Sequence, residues 1–255
     1  MNLTVLIVMG AAICLFLQGA AFWLGAGLLV AVSAYGAFSL LAELDPRGVP
    51  VEALGTPAAA TFATLGLARL GGPSPLGALT LIAGGLLIGA TLLLEARLLG
   101  PADSSHTRRR QQLVPLVVLL AFLCFTGVAG AVHGGAGSLP TVVGEEAGLI
   151  ALALVDALVA FVLGYRLAGA RSASVRQAAW AAGTFAVVIG VSAAVLRAMD
   201  LPRLLGPALL AAIFYLWSAY RSASRAERRS GGWLTEYLAL AAAAVVAIAW
   251  NLLIR

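Results

Sequence analysis

Residues 145–168, Glu-Glu-Ala-Gly-Leu-Ile-Ala-Leu-Ala-Leu-Val-Asp-Ala-Leu-Val-Ala-Phe-Val-Leu-Gly-Tyr-Arg-Leu-Ala, have the length and apolar character of a membrane-spanning helix, with Asp156 inside it. At about 1.5 Å per residue, Asp156 lies roughly 16 Å from Glu145, half of a ~30 Å hydrocarbon core. Eleven steps of about 100° also return Asp156 to the helix face of Glu145. A carboxylate at this depth is costly in lipid, so it must face protein or water.

The composition is that of a membrane protein. Hydrophobic residues make up 62% and charged residues 11% of the 255-residue chain, whereas a soluble domain is about half apolar and a quarter charged. Uncharged apolar runs of spanning length recur along the whole chain, and no segment is long and polar enough for a soluble domain. We therefore expect an all-α, polytopic transmembrane helix bundle that forms a single integral membrane domain over residues 1–255.

Polar and Pro/Gly-rich breaks divide the chain into about nine spans. Residues 3–42 carry no charge and are too long for one span, and Gln18-Gly19 offers a turn within them. One long tilted helix plus a half-helix is the alternative for residues 3–42. Counts of seven or eight spans stay open, because residues 1–75 are ambiguous. The nine predicted spans cover residues 2–18, 20–42, 56–70, 76–98, 113–132, 145–165, 178–196, 204–220 and 233–254.

The basic residues predict the orientation in the membrane. All 16 are arginine, and most lie in three polar loops, 100–112, 166–177 and 221–232. Two spans separate consecutive basic loops, so all three fall on one side, which the positive-inside rule makes cytoplasmic, with the C-terminus outside. This pattern favours membrane topology over nucleic-acid binding. The Arg-, Ala- and Leu-rich composition is typical of a GC-rich bacterial genome and indicates a bacterial inner membrane.

Asp156 is the leading candidate for a functional residue. It would serve as a proton- or cation-coupled site, or as a hydrogen-bonding anchor for a substrate. The alternative is a structural aspartate bonded to a hydroxyl, an amide or an arginine on a neighbouring helix. Side chains on other spans that could bond to it are Thr61, Thr64, Ser192, Tyr215 and Asn251.

Glu145 and Glu146 open the same helix. Acidic residues are favoured at a helix N-terminus by the dipole, and the two would also attract cations at the mouth of a pathway leading to Asp156. Charges at other span ends are interpreted as interfacial, with long side chains that reach towards water. These are Arg69, Glu95, Arg97 and Asp200, the last between Arg197 and Arg203.

Motifs for a cofactor, a metal or a catalytic group are missing from the sequence. There is no GxGxxG or Walker loop, HExxH, GxSxG or CxxC. His106 and His133 lie at the edges of spans, not as the buried facing pair that a membrane haem needs. A lysine Schiff base is excluded because the chain has no lysine. We expect no cofactor and no metal, and the sequence favours functions other than catalysis.

Three functions fit these features. The first is a small transporter or permease with a polar site around Asp156, approached from Glu145 and Glu146. The second is a non-catalytic membrane subunit whose Gly/Ala-rich helix faces pack in a homo-oligomer or a hetero-complex. The third is a membrane-embedded lipid-processing enzyme, which would need a second polar cluster facing Asp156. We expect the chain to contact membrane lipids and not to bind nucleic acid.

Overall fold

A computed structural model describes residues 3–17, 19–44, 48–72, 74–99, 106–133, 145–171, 174–199, 201 and 204–222. It describes their side chains except at 19–20, 106–111, 130–133 and 145–147. Every regular element in these ranges is helical. The elements are α1 (Leu3–Cys14), α2 (Gly19–Leu44), a short 3-10 helix (Val51–Leu54), α3 (Gly55–Gly71), α4 (Pro75–Leu99), α5 (His106–His133), α6 (Glu145–Gly169), α7 (Val175–Ala198) and α8 (Leu205–Ser222).

The all-helical prediction is confirmed over the described ranges, but the count of nine spans is not established. Five segments are long and apolar enough to cross a membrane: Ala21–Leu44, Pro75–Leu99, Gln112–Ala129, Gly148–Gly169 and Val175–Ala198. The 12 residues of α1 are apolar but cover only about 18 Å, less than a hydrocarbon core. The predicted span 233–254 lies outside the described residues.

The polar segments between spans are shorter than predicted. Residues 106–112, predicted as part of the loop 100–112, form the first turns of α5. Likewise, the predicted loop 166–177 loses residues at both ends, because α6 runs to Gly169 and α7 begins at Val175. Arginine and glutamine are good helix formers, so a helix that starts in an apolar span continues through them into polar surroundings.

Small side chains let α3 occupy the centre of the bundle, where it packs against α2, α4, α5 and α6. It lies very close to α5, where a Cβ atom placed on Gly66 would lie 2.4 Å from the Cα atom of Gly127. A Cβ atom on Gly84 of α4 would similarly meet the Thr64 side chain. Helices approach this closely only where one side chain is missing.

Helices α6 and α7 form a tightly packed antiparallel hairpin at one side of α3. Two ends of the bundle are defined by this hairpin. The Arg166 end is where α4 and α6 end and α3 and α7 begin, and the Arg197 end is where α7 ends and α6 begins. Large apolar side chains such as Leu24, Leu86, Leu154 and Val187 are exposed on the outer faces of the helices, as expected of a surface that contacts lipid.

Candidate functional site

The Asp156 carboxylate is completely buried in the middle of α6 and forms an ion pair with Arg197 near the end of α7. One carboxylate oxygen, Oδ2, accepts hydrogen bonds from both Nη2 of Arg197 at 2.5 Å and Nε at 3.3 Å. The Arg197 side chain is only 11% exposed. Since side chains on a helix lean towards its N-terminus, Arg197 reaches back from the Arg197 end into the bundle to meet Asp156.

The second carboxylate oxygen of Asp156 is left unpaired. Oδ1 is buried and has no hydrogen-bond partner among the described residues. The buried Cys124 thiol of α5 donates to the Ala59 carbonyl oxygen, with sulfur and oxygen 3.3 Å apart. A buried acceptor without a donor costs about 1–3 kcal/mol, more when it is charged, so native structures keep few of them.

The ion pair with Arg197 agrees with the alternative of an aspartate bonded to an arginine on a neighbouring helix, but Arg197 is not among the side chains that the sequence analysis named as partners. The Thr61 hydroxyl instead bonds to Ser33 and the Pro57 carbonyl, joining α2 to α3. Thr64 donates to the Ala60 carbonyl of its own helix. The suggested partner Asn251 lies outside the described residues. The sequence contains Arg197 at the end of a span, and only the packing of α7 on α6 reveals that its side chain points inwards.

The predicted approach to Asp156 through Glu145 and Glu146 is not tested by the described residues. Helix α6 begins at Glu145, in agreement with the predicted start of this span. The side chains of Glu145 and Glu146 lie outside the described part of the structure. Their role at the mouth of a pathway stays a prediction.

A second buried ion pair, at the Arg166 end, escaped the sequence reasoning. The Arg166 guanidinium donates to both carboxylate oxygens of Glu95, from Nε to Oε1 at 2.8 Å and from Nη2 to Oε2 at 2.6 Å. The Thr56 hydroxyl donates to Oε1 at 2.6 Å. This cluster joins α4 and α6 to the beginning of α3, and bidentate pairing of this kind is the strongest geometry for an arginine and a carboxylate.

The interfacial interpretation of Glu95 is therefore wrong, because its residue surface is only 1% exposed. Arg69 is also more buried than a side chain that reaches to water. Its guanidinium carbon lies 3.9 Å from the centre of the Phe22 ring, and Nη1 donates to the Leu17 carbonyl at 3.4 Å. Both charges sit near the ends of apolar spans, where sequence position alone cannot separate a lipid-water interface from a protein interior.

The two ion pairs differ in how completely they are bonded. Each carboxylate oxygen of Glu95 has a partner, whereas among the described residues only one oxygen of Asp156 does. Helix α6 contributes to both, with a carboxylate at Asp156 and a guanidinium at Arg166 about 15 Å further along its axis. The Glu95 cluster lies at the Arg166 end, with both carboxylate oxygens bonded; the second polar cluster facing Asp156 that a lipid-processing enzyme would need is not tested by it.

Comparisons with protein-family models, curated proteins and solved structures give no match. The residues of the site themselves therefore indicate its chemistry. In the described part of the chain, no three His, Cys, Asp or Glu side chains come together as a metal site. The Asp156 carboxylate can accept a proton, bind a cation or accept hydrogen bonds from a substrate.

Proposed function

We propose that the chain is a small multi-pass membrane transporter in which Asp156 binds a proton or a cation in exchange for its ion pair with Arg197. The proposal rests on the Oδ1 atom of the buried Asp156 carboxylate, which has no hydrogen-bond partner within the described part of the chain. An ionisable residue in the middle of an apolar helix is costly and is usually kept for function. In the same bundle, Glu95 is bonded through both oxygens, as expected of a purely structural ion pair.

The exchange follows from charge balance. The buried negative charge of Asp156 is compensated by Arg197 in this structure. A proton or a cation bound to Asp156 would compensate it equally well, and Arg197 would then be released. Arg197 is the second-last residue of α7, so its long side chain needs only a change of rotamer to reach the Arg197 end and water.

This exchange defines two states of the α6–α7 hairpin. In one state Asp156 and Arg197 are paired, and in the other Asp156 holds the ion while Arg197 points out. Each state keeps the interior of the bundle neutral, so neither suffers the large cost of an unpaired buried charge. An ion that binds one state better shifts the population towards it, and this coupling is what a transporter requires.

We further propose nine spans, with the basic segments 100–112, 166–177 and 221–232 in the cytoplasm of a bacterium and the C-terminus outside the inner membrane. Support comes from the five apolar helices of sufficient length and from the arginines that follow every second span. The Arg166 end would then be cytoplasmic, and the Arg197 end would face outwards.

The transporter proposal is tested by ion flux into liposomes that contain the purified full chain. A trapped pH-sensitive dye reports proton entry under an imposed pH gradient and membrane potential, with Na⁺ or K⁺ as the other cation offered. Asp156→Asn should abolish the flux, and Asp156→Glu, which keeps the carboxylate, should retain part of it. Full flux in a correctly folded Asp156→Asn variant would reject the proposal.

A second candidate is a non-catalytic subunit of a membrane complex. It is favoured by Gly27, Gly89 and Gly183, each of which has open space among the described residues where a side chain would point. Such positions let a partner helix approach closely. Gentle-detergent purification with mass spectrometry separates the candidates: stoichiometric partner proteins favour the subunit, and a lone monodisperse chain favours the transporter.

A further inference from the structure

An open cleft of about 650 Å³ lies at the Arg166 end of the bundle, between the beginning of α7 and the end of α8. It is separate from both ion pairs of α6. Its lining combines two arginines, an amide, a hydroxyl and an indole. The lining residues are Ser174, Arg176, Gln177, Trp180 and Arg221.

Packing between α7 and α8 brings these residues together. The Trp217 indole donates from Nε1 to the Thr184 hydroxyl at 3.0 Å and thereby sets the register of the two antiparallel helices. Trp180 lies four residues before Thr184, and Arg221 lies four residues after Trp217. The two therefore reach the same level, about 6 Å closer to the Arg166 end.

A hydrogen bond joins the α6–α7 turn to the end of α8, next to residues that line the cleft. The Arg171 guanidinium, in the turn between α6 and α7, donates to the Ser222 hydroxyl in the last turn of α8. Ser174 already caps α7 by accepting the Gln177 amide hydrogen at 3.3 Å. The charge that the cleft presents to a ligand therefore comes from its guanidinium groups rather than from the helix terminus.

Arg176 and Arg221 are both exposed and line the same cleft. No carboxylate of the described residues forms an ion pair with either of them. Two like charges that share a cleft repel each other, and a bound anion would relieve this repulsion. Guanidinium groups are also the preferred partners of phosphate, because they donate two parallel hydrogen bonds to it.

The indole of Trp180 adds an apolar layer next to the arginines. Trp180 follows Arg176 by one helical turn, so both lie on one face of α7, and the Trp180 residue is 71% exposed. Further along the same helix, away from the Arg166 end, Val187 and Val191 are also exposed. The face therefore changes from guanidinium to indole to aliphatic along the helix, in the order of the headgroup, interface and acyl layers of a lipid leaflet.

We propose that this Arg176–Arg221 cleft binds the phosphate headgroup of an anionic phospholipid, with its acyl chains along the exposed face of α7. The proposal rests on the membrane embedding proposed above and not on transport. An anionic lipid suits two positive charges that no carboxylate of the described ranges pairs with, whereas the cationic group of a zwitterionic lipid would add a third. The adjoining apolar face favours a lipid over free phosphate.

Native mass spectrometry of the purified full chain tests this site, with dioleoyl phosphatidylglycerol and dioleoyl phosphatidylcholine offered at equal concentrations. The wild type should retain phosphatidylglycerol in preference. Removing both arginines in the Arg176→Gln/Arg221→Gln variant should weaken that binding about 25-fold, at roughly fivefold for each guanidinium contact to the phosphate that is lost. Both positions are exposed, so we expect this variant to fold normally.

A control with the same change in net charge is Arg108→Gln/Arg109→Gln, in the first turns of α5, which should keep the preference. Equal retention of the two lipids by the wild type, or an equal loss in the control, would overturn the site. Displacement of phosphatidylglycerol by equimolar inorganic phosphate would identify a free-anion site and also overturn the lipid assignment. Each of these results leaves the flux measurement on Asp156 unaffected, so the two proposals fail separately.

Discussion

The buried ion pair between Glu95 and Arg166 gives the sharpest stability prediction. Replacing Glu95 by glutamine keeps the shape of the side chain but removes its charge, and one of its two oxygens becomes an amide group that cannot accept from Arg166. The Arg166 guanidinium is almost completely buried and cannot lose its proton. The variant must therefore hold an uncompensated positive charge inside the bundle.

The magnitude follows from the bonds that are lost. Arg166 makes two charge-assisted hydrogen bonds to Glu95, at 2.8 and 2.6 Å, each worth about 1.5–3 kcal/mol. Breaking a buried pair by removing one partner typically costs about 3–5 kcal/mol. We expect Glu95→Gln to lower the free energy of unfolding by that amount. Arg166→Gln should cost less, because the carboxylate that it leaves behind can be neutralised by a proton.

Equilibrium unfolding in mixed micelles, followed by far-ultraviolet circular dichroism, measures this loss. The matched control is the double variant Glu95→Gln/Arg166→Met, which removes both charges and should recover most of the stability, since replacing a whole buried pair is often neutral. If the free energy of unfolding of Glu95→Gln lies within about 0.5 kcal/mol of the wild-type value, as is usual for surface substitutions, the pair is solvated and our description of the Arg166 end is wrong.

Two further predictions concern single contacts, measured by the same unfolding experiment. Thr56→Val removes the 2.6 Å hydrogen bond to Glu95 and should cost about 1.5–3 kcal/mol; an unchanged stability would mean that Glu95 finds another donor. Gly66→Ala places a methyl group 2.4 Å from the Gly127 backbone and should cost about 1–3 kcal/mol. Gly183→Ala, which meets nothing within 4 Å among the described residues, is its control, and equal effects of the two would refute the close contact of α3 with α5.

Helix positions could be predicted from the sequence because the apolar runs are long and uninterrupted. The predicted spans 76–98 and 178–196 differ from α4 and α7 by no more than three residues at either end. The errors arise where a helix leaves the apolar region, as at the beginning of α5. Hydropathy reports where a helix can contact lipid, and it does not report where the backbone hydrogen bonds stop.

The candidate site could be predicted only in part. Asp156 is evident because a carboxylate within an apolar run is costly. Its partner is 41 residues away, and the partner of Glu95 is 71 residues away. Each partner is an arginine near a span end, where hydropathy predicts a side chain in water. Only the packing of α6 against α7 and the ion pair between α6 and α4 show that these arginines turn into the bundle.

The Oδ1 atom of Asp156, which no donor of the described ranges reaches, also explains why the sequence could not separate an ion site from a structural aspartate. The distinction depends on how many donors reach the carboxylate, and donors are placed by tertiary structure. The Glu95 cluster in the same bundle shows what a fully bonded carboxylate looks like. Asp156 differs from Glu95 in its Oδ1 atom, which has no hydrogen-bond partner in the described part of the chain.

The most direct test of the central claim is proton and cation flux through the Asp156→Asn/Arg197→Gln double variant in liposomes. This variant removes the carboxylate without leaving an unpaired charge, so we expect a stable, monodisperse chain with the wild-type helix content. If Asp156 is the exchangeable ion site, the folded variant conducts no flux above that of protein-free liposomes. Wild-type flux in the folded double variant would mean that the pair with Arg197 is only structural.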